Sequence, residues 1–290
     1  MLPARRDPEI PGDLLLDTVA QYVNTYAKMT PEALDVVTLW IAHTYMRDAN
    51  QTLVFETSPR LYLLSSEPGS GKSTVLKLLN LLCPNTFGLD IEPTQPGLVF
   101  TINKEHATVL LDEGDILFGS GGRKSSVRAV INQGYTRDGS ILNGIGGKPN
   151  RTNVFGPVAI AALDKVQTGT DGNLDALLSR GFIVHMAKAT EPPQRFGRLA
   201  REQAAALVPW IAMWAAQVRD KLPEEPEIPE GLKNRPEEIA IPLLSIAQSA
   251  GERWMGRGQQ AIEGVLLNRP RVLENPTVAL NNILGSLAIA

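Results

Sequence analysis

Cysteine is nearly absent, with Cys83 the only one in 290 residues. This excludes a disulfide framework and any zinc site built on cysteines. Cys83 stands in Leu81-Leu82-Cys83-Pro84, where a buried structural thiol is expected. Histidine is scarce too: His43, His106 and His185 are scattered without ligand spacing, so no histidine metal site is expected. No apolar run approaches the length of a membrane span, and the first residues lack the charged-then-apolar pattern of a signal peptide. A cytoplasmic protein with no membrane partner is therefore expected. Nor is there a surplus of charge of one sign. The balance of 28 Lys and Arg against 31 Asp and Glu argues against a generally basic nucleic-acid coat, but leaves room for a local basic channel. There is no internal repeat and no heptad pattern. The 290 residues suffice for one large domain, or for an α/β domain with a helical appendage.

What is present is concentrated in residues 65–74, Ser-Ser-Glu-Pro-Gly-Ser-Gly-Lys-Ser-Thr, directly after the apolar run Leu61-Tyr62-Leu63-Leu64. The pattern predicts a strand, a phosphate-binding loop and a helix over Val75 to Leu82. Gly69 and Gly71 allow positive φ and close backbone approach, so successive N–H groups can face phosphate oxygens. The helix that follows adds the positive end of its dipole. Lys72 would reach the β- and γ-phosphates and the Ser73 hydroxyl would ligate Mg²⁺, with Glu67, Pro68, Ser70 and Thr74 completing the loop. The full pattern has glycine at position 66, where this chain has Ser66. About forty residues on, Ala107-Thr108-Val109-Leu110-Leu111-Asp112-Glu113 reads as a buried strand ending in two carboxylates. With that strand beside the first, Asp112 would hold the metal's water shell and Glu113 would polarise an attacking water.

The remainder divides into an N-terminal helical segment (1–50), a core (51–190) and a helical C-terminal lid (191–290). Residues 1–10 read as a loose tail. Asp13 to Ala27 and Pro31 to Arg47 carry apolar residues at helical spacing, the second with Thr30 as cap and Pro31 in the first turn. Apolar runs at 60–64, 107–112, 157–163 and 181–186 alternate with helical stretches, which predicts a parallel sheet sandwiched by helices. Leu199 to Leu222 reads as one long helix in which Trp210 and Trp214 share a packed face. A proline-rich acidic connector (223–236) leads to helices over 237–255 and about 258–268.

Three further groups carry candidate chemistry. Ser179-Arg180 stands at the entrance to the last apolar strand. If subunits assemble, an arginine there could project toward a γ-phosphate held by the neighbour and neutralise charge in the transition state, an effect worth roughly 10³–10⁵ in rate; a surface ion pair capping the strand is the other reading. The stretch 119–124, Gly-Ser-Gly-Gly-Arg-Lys, reads as a flexible loop, followed by a helix from Ser125 to Gly134 and a β-hairpin with a glycine-rich tip over 137–151. Arg123, Lys124, Arg128, Lys148 and Arg151 give this region positive charge. It would track a nucleic-acid backbone if it faces a pore, or else form a solvated loop. Asp164 after the fourth run, and Arg195 and Arg198 after the last, are weak candidates for residues that sense the γ-phosphate.

These features recur in one order: the phosphate loop, Leu-Leu-Asp-Glu-Gly-Asp (110–115), Asn132-Gln133-Gly134-Tyr135, the hairpin, Phe155 to Ala161 and Ser179-Arg180. Ile241 to Ala247 and Ala250 to Trp254 follow. Over roughly residues 35–265 the chain resembles an uncharacterised P-loop ATPase domain family of bacteriophages, plasmids and mobile elements. It is similar, more distantly, to AAA+ ATPases and to phage or viral superfamily 3 helicases. The resemblance implies an ASCE-type P-loop fold, ATP and Mg²⁺ as cofactors, a homo-oligomeric ring such as a hexamer, a replication setting and, if a phage encodes it, the host cytoplasm. Two functions from different classes follow. One is an ATPase motor on single- or double-stranded DNA (a helicase, translocase or helicase loader). The other is a nucleotide-gated ATPase that assembles or remodels a protein partner without touching DNA. A small-molecule kinase is a third reading, opposed by the hairpin, Ser179-Arg180 and the helical lid.

Overall fold

The structure is a computed structural model, and it describes residues 9–88, 93–112, 114, 122–145, 148–163 and 176–267, without the side chains of 122–124, 143–145 and 148. Helices α1 (Gly12–Tyr26) and α2 (Pro31–His43) come first. Strand β1 (Arg60–Ser65) then leads into α3 (Lys72–Leu82). A two-residue strand β2 (Thr86–Phe87), helix α4 (Gln95–Glu105) and strand β3 (Thr108–Leu111) follow. Next are α5 (Gly122–Gln133), a hairpin of β4 (Ser140–Ile145) and β5 (Lys148–Asn153), then β6 (Val158–Leu163) and β7 (Gly181–His185). The chain closes with α6 (Arg198–Val218), a 3₁₀ turn (Arg219–Lys221), α7 (Arg235–Ser249) and α8 (Glu252–Leu267).

Five strands form one parallel sheet in the order β2-β3-β6-β1-β7. Alternate residues of each strand point to opposite faces, and both faces are covered, as a parallel sheet requires. On one face Leu61 and Leu63, Ala159 and Ala161, Phe182 and Val184 pack into a large core with α1, α2, α3, α6, α7 and α8. On the other, Tyr62, Leu64, Val109, Leu111, Val158 and Ile160 pack under α4 and α5, joined by Leu177 and Leu178. That double coverage explains why the strands read as continuous apolar runs in the sequence.

Helix α2 is buried on nearly every side from Val36 to His43. Its entry is fixed by the Thr30 hydroxyl accepting from the Ala33 N–H, with Pro31 in the first turn, as its sequence predicts. The N-terminal helices are bolted to α8. Arg253 pairs with Asp13 (3.1 Å) and Asp17 (2.5 Å), and Arg257 pairs with Asp17 (2.7 Å) and with the buried Asp35. Arg257 also lies 4.1 Å from the Trp254 ring centre, and the Trp254 indole N–H reaches Asp17 at 3.0 Å.

Four expectations need correction. The helical stretch read as 237–255 breaks at Gly251, whose φ of +115° is left-handed and ends α7 before α8 begins. The stretch 119–124 is not wholly a loop, because α5 begins at Gly122 and takes in Arg123 and Lys124. Trp214 is packed, but Trp210 is 50% exposed. Finally, β3 does not lie beside β1: β6 separates them. Consecutive apolar runs tend to be neighbours, but here the chain makes the hairpin and returns to insert β6 in the gap.

Candidate functional site

The site is built at the carboxyl end of β1. All six residues of that strand are buried, between β6 and β7. The chain leaves the sheet at Ser65, turns through Gly69 (φ +77°) and Gly71 (φ +95°), and enters α3 at Lys72. A side chain at either glycine would be strained. Ser66 is not among the described residues with positive φ, so glycine is not needed there. Gly71 caps α3 without a side chain, leaving the first-turn N–H groups of the helix to the loop's interior. Lys72 Nζ folds back over the loop, donating to Ser65 Oγ and, at 3.5 Å, to Ser70 Oγ. Ser65 Oγ in turn donates to the Glu67 carbonyl at 2.8 Å. Gly69 and Ser73 are exposed and Thr74 is half-buried. A left-handed glycine turn, an open helix N-terminus and an inward lysine form a cradle for a phosphate-sized anion.

Asp112 follows the last residue of β3, where Leu111 pairs with Ile160 and Ile160 with Tyr62. One strand therefore lies between Asp112 and the loop's strand, about 9.5 Å in spacing. Glu113 and Asp164 lie outside the described residues. Gly114, next after Glu113, donates its N–H to the Ala161 carbonyl at 2.7 Å, which holds the chain close against β6. No group of three or more His, Cys, Asp or Glu able to hold a metal occurs among the described residues. Cys83 is buried, and burial pushes its thiol up to about 12, so it stays protonated.

Arg180 precedes Gly181, which pairs with Arg60 at the amino end of β1. It therefore sits at the opposite edge of the sheet from the loop after Ser65, about 16 Å away along the strand. Its guanidinium lies 5.1 Å from the Tyr135 ring centre, and burial, followed by the nearby charge of Arg235, lowers its pKa. The hairpin rises from the same edge. Its six paired rows run from Ser140↔Asn153 to Ile145↔Lys148, and Arg151 Nε donates to Ser140 Oγ at 2.5 Å. Leu142, opposite Arg151, is 72% exposed. Arg128 is half-buried on α5. The side chains of Arg123, Lys124 and Lys148 lie outside the described residues. Arg198 forms an exposed pair with Glu202 at 2.9 Å, and Arg195 is exposed.

Residues 185–281 match a family model described as a protein of unknown function (DUF3631). The match begins at the last residue of β7, spans α6 to α8 and continues past the described residues. No curated protein matches the chain.

Lys188 and Arg235 carried no signal in the sequence, and Tyr135 entered only as part of the recurring 132–135 motif, with no role assigned to it. Lys188 reaches across the loop to Glu67 at 2.7 Å, and its Cε would lie 3.9 Å from a side chain on Gly69. It could have been found only by knowing that β7 runs parallel beside β1, so that the residues after both strands emerge together. Tyr135 and Arg235 meet Arg180 from segments distant in the chain, and only the fold brings them there.

Proposed function

We propose that this chain is a Mg²⁺-dependent ATPase of the P-loop class, AAA+-like in organisation, working as a homo-oligomer on DNA. The observation that carries the reading is the turn from β1 into α3. Its left-handed glycines and inward Lys72 make a phosphate cradle at the carboxyl end of a central parallel strand, where such sheets bind ligands. In this reading the backbone of 67–74 and Lys72 hold the β- and γ-phosphates, and Ser73 with Asp112 holds the metal and its waters. Glu113 takes a proton from a water whose oxygen bonds to the γ-phosphorus as the bond to the β-phosphate oxygen breaks. The metal, when bound, neutralises charge on the phosphates.

Arg180 acts on a neighbour's nucleotide. Its own loop lies at the far edge of the sheet, so a contribution within one subunit is not available to it. The hairpin carries Arg151 and the exposed Leu142 at that same edge, a basic and apolar projection suited to a nucleic-acid backbone and its bases.

Solution mass should be measured with and without a non-hydrolysable ATP analogue and single-stranded DNA, alongside phosphate release. The expected result is nucleotide-dependent assembly, hydrolysis to free phosphate without an acceptor, and stimulation by DNA. Assembly and hydrolysis that ignore DNA, and persist unchanged in Lys148→Ala/Arg151→Ala, would move the reading to a protein-remodelling ATPase. A strict monomer at full turnover would sink the oligomer.

A further inference from the structure

Two arginines share one tyrosine at the amino edge of the sheet. The Arg180 guanidinium lies 5.1 Å and that of Arg235 5.8 Å from the Tyr135 ring centre. Arg235, in the first turn of α7, donates from Nη1 to Ser179 Oγ at 3.0 Å, on the residue adjoining Arg180. Arg180 donates from Nη1 to the Ala176 carbonyl, while its Nε is buried without a hydrogen-bond partner among the described residues. Among the described residues neither arginine forms an ion pair. Both are half-buried, so solvent and a second chain can reach them.

Two cations held together by a neutral ring and a hydroxyl repel one another. A structural latch of this kind would be expected to use one arginine, or an arginine and a carboxylate. A pair with spare donors is instead the chemistry of an anion receptor, because guanidinium groups match phosphate oxygens in shape as well as charge. We propose that Arg180 and Arg235 together receive the terminal phosphate of a nucleotide bound to a second copy of this chain, which makes Arg235 a further catalytic residue. The inference rests on the ATPase reading above. The phosphate must come from another copy because this chain's own cradle lies at the opposite edge of the sheet. Arg235 belongs to the helical layer and Arg180 to the sheet, so one phosphate would bridge both.

Complementation tests it. Lys72→Ala lacks a working cradle but keeps both arginines, whereas Arg235→Ala keeps the cradle and loses one arginine. Alone, each is expected to release phosphate at least about tenfold more slowly than wild type at assembling concentrations. Mixed one to one, activity should rise above either parent, because Arg235→Ala cradles then face intact arginines. Arg235→Lys keeps the charge without the fork; it should melt at the wild-type temperature yet turn over slowly. Full turnover by Arg235→Ala overturns the proposal. So does failure of Arg235→Ala to be rescued while Arg180→Ala is rescued by the same partner, a result that leaves the ATPase reading standing. If wild type releases no phosphate at any concentration, the ATPase reading falls and this inference falls with it.

Discussion

At the scale of single residues, Ser66 shows how a departure from a sequence pattern can be harmless. The left-handed positions of the loop are 69 and 71, and both are glycine. Ser66→Gly is therefore expected to leave stability within about 0.5 kcal/mol and nucleotide affinity unchanged, as judged by urea unfolding and calorimetric titration. His43 is the opposite case, silent in sequence and consequential in the fold. It is fully buried against Trp40 and Phe55, with neither ring nitrogen partnered among the described residues, and burial lowers its pKa from 6.5 to about 3. The folded protein refuses a proton that the unfolded chain accepts, so stability is complete above pH 6.5 and falls as pH drops toward 3. Between pH 7.5 and 5.0 the loss should be about 2 kcal/mol. His43→Phe should abolish that slope in urea titrations at the two pH values, and an unchanged slope would assign it to other groups. The loop's turn was legible because it is local: ten consecutive residues specify the left-handed glycines and the lysine that folds over them. Lys188, Arg235 and the role of Tyr135 were not, since each acquires its neighbours only through strand order or helix packing.

At the scale of elements, the buried strands were readable almost to the residue, because strands covered on both faces must be apolar throughout. Strand β2 was missed, having two residues and no pattern to read. The misjudged tryptophans have a geometric cause. Positions four apart on a helix differ by about 40°, enough for Trp214 to enter the core while Trp210 stays at its margin. The placement of β6 between β1 and β3 was hidden for a different reason: strand order depends on where the chain returns after the hairpin. The bond between the N-terminal helices and α8 was equally hidden, its partners lying more than two hundred residues apart. Arg257→Ala would leave Asp35, with a side chain only 8% exposed, without its cation. A loss of roughly 1–3 kcal/mol is expected, less than for a fully buried pair because Arg257 is itself partly solvated. Adding Asp35→Asn should recover part of it, as urea midpoints for the double-mutant cycle would show. Full additivity would mean that the pair does not hold the layers together.

At the scale of the whole molecule, the candidate residues divide between the two ends of the parallel strands. The carboxyl edge holds the turn from β1 into α3 and Asp112; the amino edge holds Arg180, Arg235, Tyr135 and the base of the hairpin. Tyr135 lies between α5 and β4, and its carbonyl accepts from the Ser58 N–H at 2.7 Å, close to the start of β1. In the proposed oligomer, two subunits set edge to edge would bring together the two edges that one subunit keeps apart. Among the described residues no helix is long and apolar enough to cross a membrane. The central claim, that residues 65–74 form the cradle of an ATPase completed by a neighbouring copy, is tested most directly by phosphate release per subunit measured across a range of protein concentrations. The account predicts that turnover per subunit climbs with concentration to a plateau and that Lys72→Ala abolishes it. Absence of phosphate release throughout, or a rate per subunit that does not change with concentration, would contradict it.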